Sequence, residues 1–90
     1  MTGKYHDTFT SVGYQKASDI VTTINTLGGK ARLGVTYLDY GQDWTWETIL
    51  VVSKSLDMEY QALTPRDFND INEGNLSLER IQKIVAQATK

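Results

Sequence analysis

The sequence predicts a small α+β domain in which an N-terminal helix is followed by a three-stranded antiparallel meander and two C-terminal helices. Three observations lead to this prediction. Apolar residues recur at helical spacing in the first third of the chain, two strand-like apolar runs flank a turn signal at residues 40–43, and two helix-capping signals follow residue 63. A chain of 90 residues is long enough for one hydrophobic core, so residues 1–90 are expected to form a single domain.

The first predicted helix covers residues 11–27. Its apolar residues lie three or four positions apart and therefore share one side of a helix; they are Ala17, Ile20, Val21, Ile24 and Leu27. A hydroxyl at Thr10 or Ser11 is suited to cap the unpaired amides of the first turn. Gly28 should end the helix, because glycine adopts the left-handed conformation at low cost. Residues 1–7 are expected to be a flexible tail.

The hairpin is predicted from residues 33–52, which contain both tryptophans and the longest apolar run in the chain. A turn around Gly41 sets Tyr37 opposite Trp46 and Leu33 opposite Leu50, and this register gathers the apolar side chains on one face. That face is expected to be the core side of the sheet, and its members are Leu33, Val35, Tyr37, Trp46, Leu50 and Val52.

The second strand of the hairpin should be central in the sheet. Ile49 and Val51 lie on the other side of its pleat and are also apolar, as is typical of a strand that is covered on both faces. A third strand is expected from Met58 to Leu63, after a turn at residues 53–57.

The C-terminal part carries the clearest local signals. Thr64 and Pro65 fit the N-cap and the first position of a helix, and Asp67 completes a capping box. Ser77 is the expected cap of a last helix, which has an apolar stripe at Leu78, Ile81, Ile84, Val85 and Ala88.

Charge and composition exclude several classes of protein. The net charge is −2, and residues 39–79 contain nine acidic residues against two basic ones. Binding to nucleic-acid backbones depends on lysine and arginine, so this acidic middle region argues against nucleic acid as the main ligand. The chain has no cysteine, which excludes disulfide and thiolate chemistry and fits the cytoplasm, and no apolar run is long enough to be a membrane span or a signal peptide.

No catalytic, metal or cofactor site is predicted. The only histidine, His6, lies in the expected tail. Asp39 and Glu47 point to opposite faces of the predicted hairpin and do not converge on a cation. The acidic residues of the short helix, Asp67, Asp70 and Glu73, are expected to be solvated.

We therefore expect a non-enzymatic protein-interaction or regulatory module that binds a protein partner through the tip of the hairpin, and the acidic tip favours a basic partner. The reason is that aromatic residues at an interface often dominate its binding energy, and acidic neighbours attract basic partners. The predicted partner-binding residues are Asp39, Tyr40, Gln42, Asp43 and Trp44.

Three alternatives remain open at this point. The first is a nucleic-acid-binding domain that uses the sheet face with Lys30, Arg32 and Lys54. The second is a homodimer through the apolar patch of Leu38, Ile49 and Val51. The third is a small enzyme or ligand carrier with a pocket between the sheet and the helices, lined by Tyr37, Tyr60 and an acidic residue.

Overall fold

The computed structural model describes residues 5–37 and 44–90, except for the side chains of Tyr5 and Trp44, and over these ranges the chain is a small α+β domain. It has three helices and a mixed four-stranded sheet within the described residues. In chain order the elements are β1 (Tyr5–Asp7), α1 (Ser11–Thr26), β2 (Ala31–Tyr37), β3 (Trp44–Ser53), β4 (Met58–Gln61), α2 (Pro65–Asn72) and α3 (Leu78–Ala88).

Strand β3 is the centre of the sheet, and both of its edges are paired. β2 runs antiparallel along one edge. On the other edge, β1 pairs parallel with residues 44–46 and β4 pairs antiparallel with residues 50–53. The predicted meander is present as β2, β3 and β4, but β1 makes the sheet mixed. Residues 5–7 form this extra strand, whereas the sequence predicts a flexible tail. The sequence does not predict the strand because three residues are too few to show an alternating pattern.

The hairpin register differs from the predicted one by one residue. Tyr37 pairs with Thr45 and not with Trp46, and every other pair is shifted in the same way. Leu33 consequently lies opposite Ile49, which is fully buried. Side chains alternate between the two faces of a strand. The shift therefore places Leu33 and the alternate residues of β2 on the face of the sheet that carries Ile49, and not on the face that carries Trp46. The predicted register follows from the turn and from the grouping of apolar side chains on one face. Because β3 is apolar on both sides of its pleat around Ile49 and Leu50, the same pattern also fits a register shifted by one residue.

The predicted core face is therefore only partly correct. Its members fall into three groups: Trp46 is buried, Leu33, Leu50 and Val52 are half-buried, and Val35 and Tyr37 are exposed. The two exposed residues lie at the end of β2 that leads into residues 38–43.

The centre of β3 is covered on both faces, as the sequence predicts. Thr48 and Ile49 are neighbours, and both are fully buried although neighbouring side chains in a strand point to opposite faces. Val51 is fully buried as well. The surface expected for a homodimer is thus unavailable at Ile49 and Val51, and its third member, Leu38, lies outside the described residues.

Helix α1 confirms the prediction for residues 11–27. Thr10 is its N-cap, and the Thr10 hydroxyl accepts a hydrogen bond from the Gly13 N–H at 3.0 Å. The helix ends at Thr26, and Gly28 follows with a φ of 97°, in the left-handed region that favours glycine.

Helices α2 and α3 begin at the predicted caps. The Thr64 hydroxyl accepts from the Asp67 N–H at 3.1 Å, and the Asp67 carboxylate accepts from the Thr64 N–H at 2.9 Å, so the capping box is complete. Ser77 caps α3. A partly buried ion pair then joins the two helices, because both carboxylate oxygens of the buried Asp67 accept hydrogen bonds from the half-exposed Arg80, at 3.0 and 2.8 Å.

The hydrophobic core lies between the sheet and the helices. Phe68 of α2 packs edge-on against Trp46, with ring centroids 5.3 Å apart, and also contacts Phe9 at 5.4 Å. The buried apolar residues are Ala17, Ile20, Ile24, Trp46, Ile49, Val51, Leu63, Phe68, Ile71, Leu76, Ile84 and Ala88. None of the helices over the described ranges has the length and hydrophobicity needed to cross a membrane.

Candidate functional site

The predicted partner-binding tip falls mostly outside the described residues. Asp39, Tyr40, Gln42 and Asp43 lie in the segment 38–43, and Trp44 begins β3 with a side chain that is likewise not described. The strands on either side of this segment are described. They place β2 at one edge of the sheet, directly before the tip.

The outer edge of β2 presents backbone groups that pair with no described strand. The carbonyl of Lys30 accepts a hydrogen bond from the Val52 N–H at 2.9 Å, so Lys30 and the alternate residues after it direct their backbone groups toward β3. The residues between them therefore direct their N–H and C=O groups outward. These outward residues are Ala31, Leu33, Val35 and Tyr37.

Asn25 closes the beginning of this edge. Its side-chain oxygen accepts from the Ala31 N–H at 2.7 Å, and its amide nitrogen donates to the Ala31 carbonyl at 3.1 Å. The primary amide thus occupies the place of a peptide group from a neighbouring strand. Leu33, Val35 and Tyr37 have no such substitute among the described residues. We therefore call residues 33–37 the open edge.

The open edge also exposes apolar side chains. Val35 is 52% exposed and Tyr37 is 49% exposed, and their spacing of two places them on one face of β2. Beside them on β3, Glu47 pairs with Val35 and Thr45 pairs with Tyr37. An unpaired edge with β-branched and aromatic side chains is a template for the addition of another strand.

The basic residues of the nucleic-acid alternative do not form one surface. Both carboxylate oxygens of Glu59 accept hydrogen bonds from Arg32, at 2.8 and 2.9 Å, so the Arg32 charge is already paired. The hydrogen bond from Arg32 lowers the pKa of Glu59. Lys30 and Arg32 line a small cavity of about 160 Å³, whereas Lys54 lines a different and larger one.

The described residues hold no cluster of three or more histidine, cysteine or acidic side chains placed to bind a metal ion. His6 shares a hydrogen bond of 2.6 Å with the hydroxyl of Thr45, between β1 and β3. The pocket suggested for a ligand carrier is not formed by its tyrosines, because Tyr37 and Tyr60 lie on β2 and β4, on opposite sides of β3.

The open edge is a feature that sequence reasoning misses. Val35 and Tyr37 are predicted as core residues because their alternation with polar neighbours is the same for a buried face and an exposed one.

Comparison with known protein families, curated proteins and solved structures gives no match to this chain.

Proposed function

We propose that this protein is a non-enzymatic interaction module that binds an extended segment of a partner protein along the open edge of β2. The observation that supports the proposal is the coincidence of unpaired backbone groups with two half-exposed apolar side chains, Val35 and Tyr37. An added strand would gain main-chain hydrogen bonds from Leu33, Val35 and Tyr37, and apolar contacts with the last two.

The tip residues are the proposed second part of the binding surface. Residues 38–43 follow the open edge directly in the sequence, and for this reason we include Asp39, Tyr40, Gln42, Asp43 and Trp44 in the proposed surface. Two of these residues are acidic and two are aromatic. A partner segment with basic residues beside an extended apolar stretch fits both parts of the surface.

The test uses two double variants that change the same residue types. Val35→Lys with Tyr37→Lys places charges on the open edge, which is a common way in which natural proteins block strand addition. Val12→Lys with Tyr14→Lys is the control, since Val12 and Tyr14 are exposed to a similar degree, 50% and 55%, on α1. Both variants gain the same net charge.

Each protein is used to capture partners from the native cell extract, and the affinity of any identified partner is then measured with purified components. We expect the edge variant to bind the partner at least about tenfold more weakly, and the control to bind within about twofold of wild type. Trp44→Ala should also weaken binding with little change in melting temperature. Equal losses in the two double variants would contradict the proposal, as would full retention of the partner by the edge variant.

A further inference from the structure

A groove runs between β4 and α3, at the sheet edge opposite the open edge. It consists of two adjoining cavities of about 460 and 80 Å³, and Tyr60 and Gln87 line both of them. Tyr60 projects from β4 and Gln87 from α3, so the two cavities lie side by side between a strand wall and a helix wall.

The groove is positively charged although the chain as a whole is acidic. Lys54 and Lys90 line the larger cavity, Arg80 and Lys83 line the smaller one, and no acidic side chain lines either. Four of the nine basic residues of the chain are thus gathered at one cleft. Arg80 is neutralised by Asp67, but the three lysines form no ion pair with any described residue.

The helix dipole does not account for this arrangement. Cations commonly lie near the carboxyl end of a helix, which explains a lysine at position 90. Lys83 lies in the middle of α3, and Lys54 belongs to the turn between β3 and β4. Positive charge thus reaches the cleft from both of its walls.

The shape of the groove suits an extended chain. Arg80, Lys83 and Gln87 share one side of α3, and the rise over the seven steps from Arg80 to Gln87 is about 10 Å along the axis. With the further reach to Lys54 and Lys90, the cleft can accommodate about five residues of an extended peptide at roughly 3.3 Å each.

The strand wall offers further hydrogen-bonding groups. The Ala62 N–H donates to the Ile49 carbonyl at 2.8 Å, so by alternation Gln61, which lines the smaller cavity, directs its backbone groups away from β3. The Glu59 carboxylate is bound to Arg32 and does not line the groove. Burial raises the pKa of Tyr60. A tyrosine hydroxyl is protonated at neutral pH in any case, so Tyr60 can donate a hydrogen bond there.

We propose that this groove binds an extended acidic peptide segment of a partner protein, whose carboxylates lie against Lys54, Lys83 and Lys90. An acidic peptide fits better than a nucleic acid, because the walls contain one aromatic side chain, Tyr60, where single-stranded binding sites usually stack several bases. The surface is separate from the open edge of β2, and its occupation does not depend on the function proposed above.

Fluorescence anisotropy tests the proposal with three labelled probes: hexaglutamate, hexalysine and a short oligothymidylate. We expect hexaglutamate to bind the wild-type protein and hexalysine not to bind. Lys54→Gln with Lys83→Gln should weaken hexaglutamate binding by about tenfold, since both lysines contribute directly to the groove. Lys16→Gln with Lys30→Gln removes the same charge outside the groove and should change binding by less than about threefold.

Three results would overturn the proposal. The first is the absence of hexaglutamate binding at millimolar protein concentration. The second is equal weakening by the two double variants, which would indicate a general charge effect. The third is tighter binding of oligothymidylate than of hexaglutamate, which would assign the groove to nucleic acid.

Discussion

Removal of the Asp67 carboxylate should be among the most destabilising single changes at a polar residue. The carboxylate is 7% exposed and accepts hydrogen bonds from Arg80 and from the Thr64 N–H. Breaking a buried ion pair by deleting one partner costs about 3–5 kcal/mol. Arg80 is 38% exposed and can regain water, which lowers this cost, while loss of the capping box adds about 1 kcal/mol. We expect Asp67→Ala to lower the free energy of unfolding by about 3 kcal/mol.

Such a loss is large for a domain of this size. About 0.05–0.15 kcal/mol of stability per residue is usual, and each kcal/mol lowers the melting temperature of a small domain by about 4–8 °C. The assay is urea denaturation followed by the fluorescence of the buried Trp46. Asp70→Ala is the control, because Arg66 is 91% exposed and lies 3.9 Å from Asp70, and it should cost less than about 0.5 kcal/mol.

The same pair predicts a dependence on pH. Burial by itself would raise the pKa of Asp67, but the hydrogen bonds from Arg80 and Thr64 and the guanidinium charge outweigh it, so the pKa lies below its ordinary value. A carboxyl with a lowered folded-state pKa contributes stability above its unfolded-state pKa of about 3.9, and this is lost as the pH falls through the folded value. The stability difference between wild type and Asp67→Asn should therefore shrink on acidification below about pH 4. Two results would refute the reasoning. One is a stability difference between wild type and Asp67→Asn that stays constant from neutral to acidic pH. The other is a decrease of less than about 1 kcal/mol in the free energy of unfolding of Asp67→Ala.

Three further predictions concern packing and the sheet edge. Gly13→Ala should destabilise the protein by about 1–2 kcal/mol despite the better helix propensity of alanine, because the added Cβ would clash with Oδ1 of Asn72; a more stable variant in thermal melts would contradict this. Thr48→Val should be neutral or stabilising by up to about 1 kcal/mol, since the buried Thr48 hydroxyl has no hydrogen-bond partner among the described residues; a clear loss in urea denaturation would indicate an unseen partner. Asn25→Ala should cost about 1 kcal/mol and speed aggregation, because it frees the outward backbone groups of Ala31; unchanged light scattering at the midpoint of unfolding would count against it.

The features that the sequence predicts correctly depend on residues close together in the chain. The cap at Thr10, the capping box of Thr64 and Asp67, and the cap at Ser77 each involve hydrogen bonds over three residues. The pairing of Asp67 with Arg80 spans 13 residues and has no comparable local signal. Local patterns therefore locate the helices well and say little about how the elements meet.

The candidate sites depend on topology, which the sequence leaves undetermined. Nothing in the alternation of β2 states that the strand lies at an edge, so Val35 and Tyr37 cannot be distinguished from core residues before the sheet is assembled. The basic groove likewise depends on how the elements are arranged in the fold, and not on a local sequence pattern. Lys54 and Lys83 lie 29 positions apart in the sequence, and they line adjoining cavities because β4 and α3 are neighbours in the fold.

The parallel pairing of β1 has a consequence for the order of folding. His6 and Thr45, which share a hydrogen bond, lie 39 residues apart, whereas the meander of β2, β3 and β4 closes through short connections. Longer loops cost more entropy to close, so β1 should dock last and detach first. While it is detached, the first part of β3 can accept β1 from another copy of the chain in the same parallel register. Concentrated protein held under mildly destabilising conditions should therefore form dimers that exchange this strand.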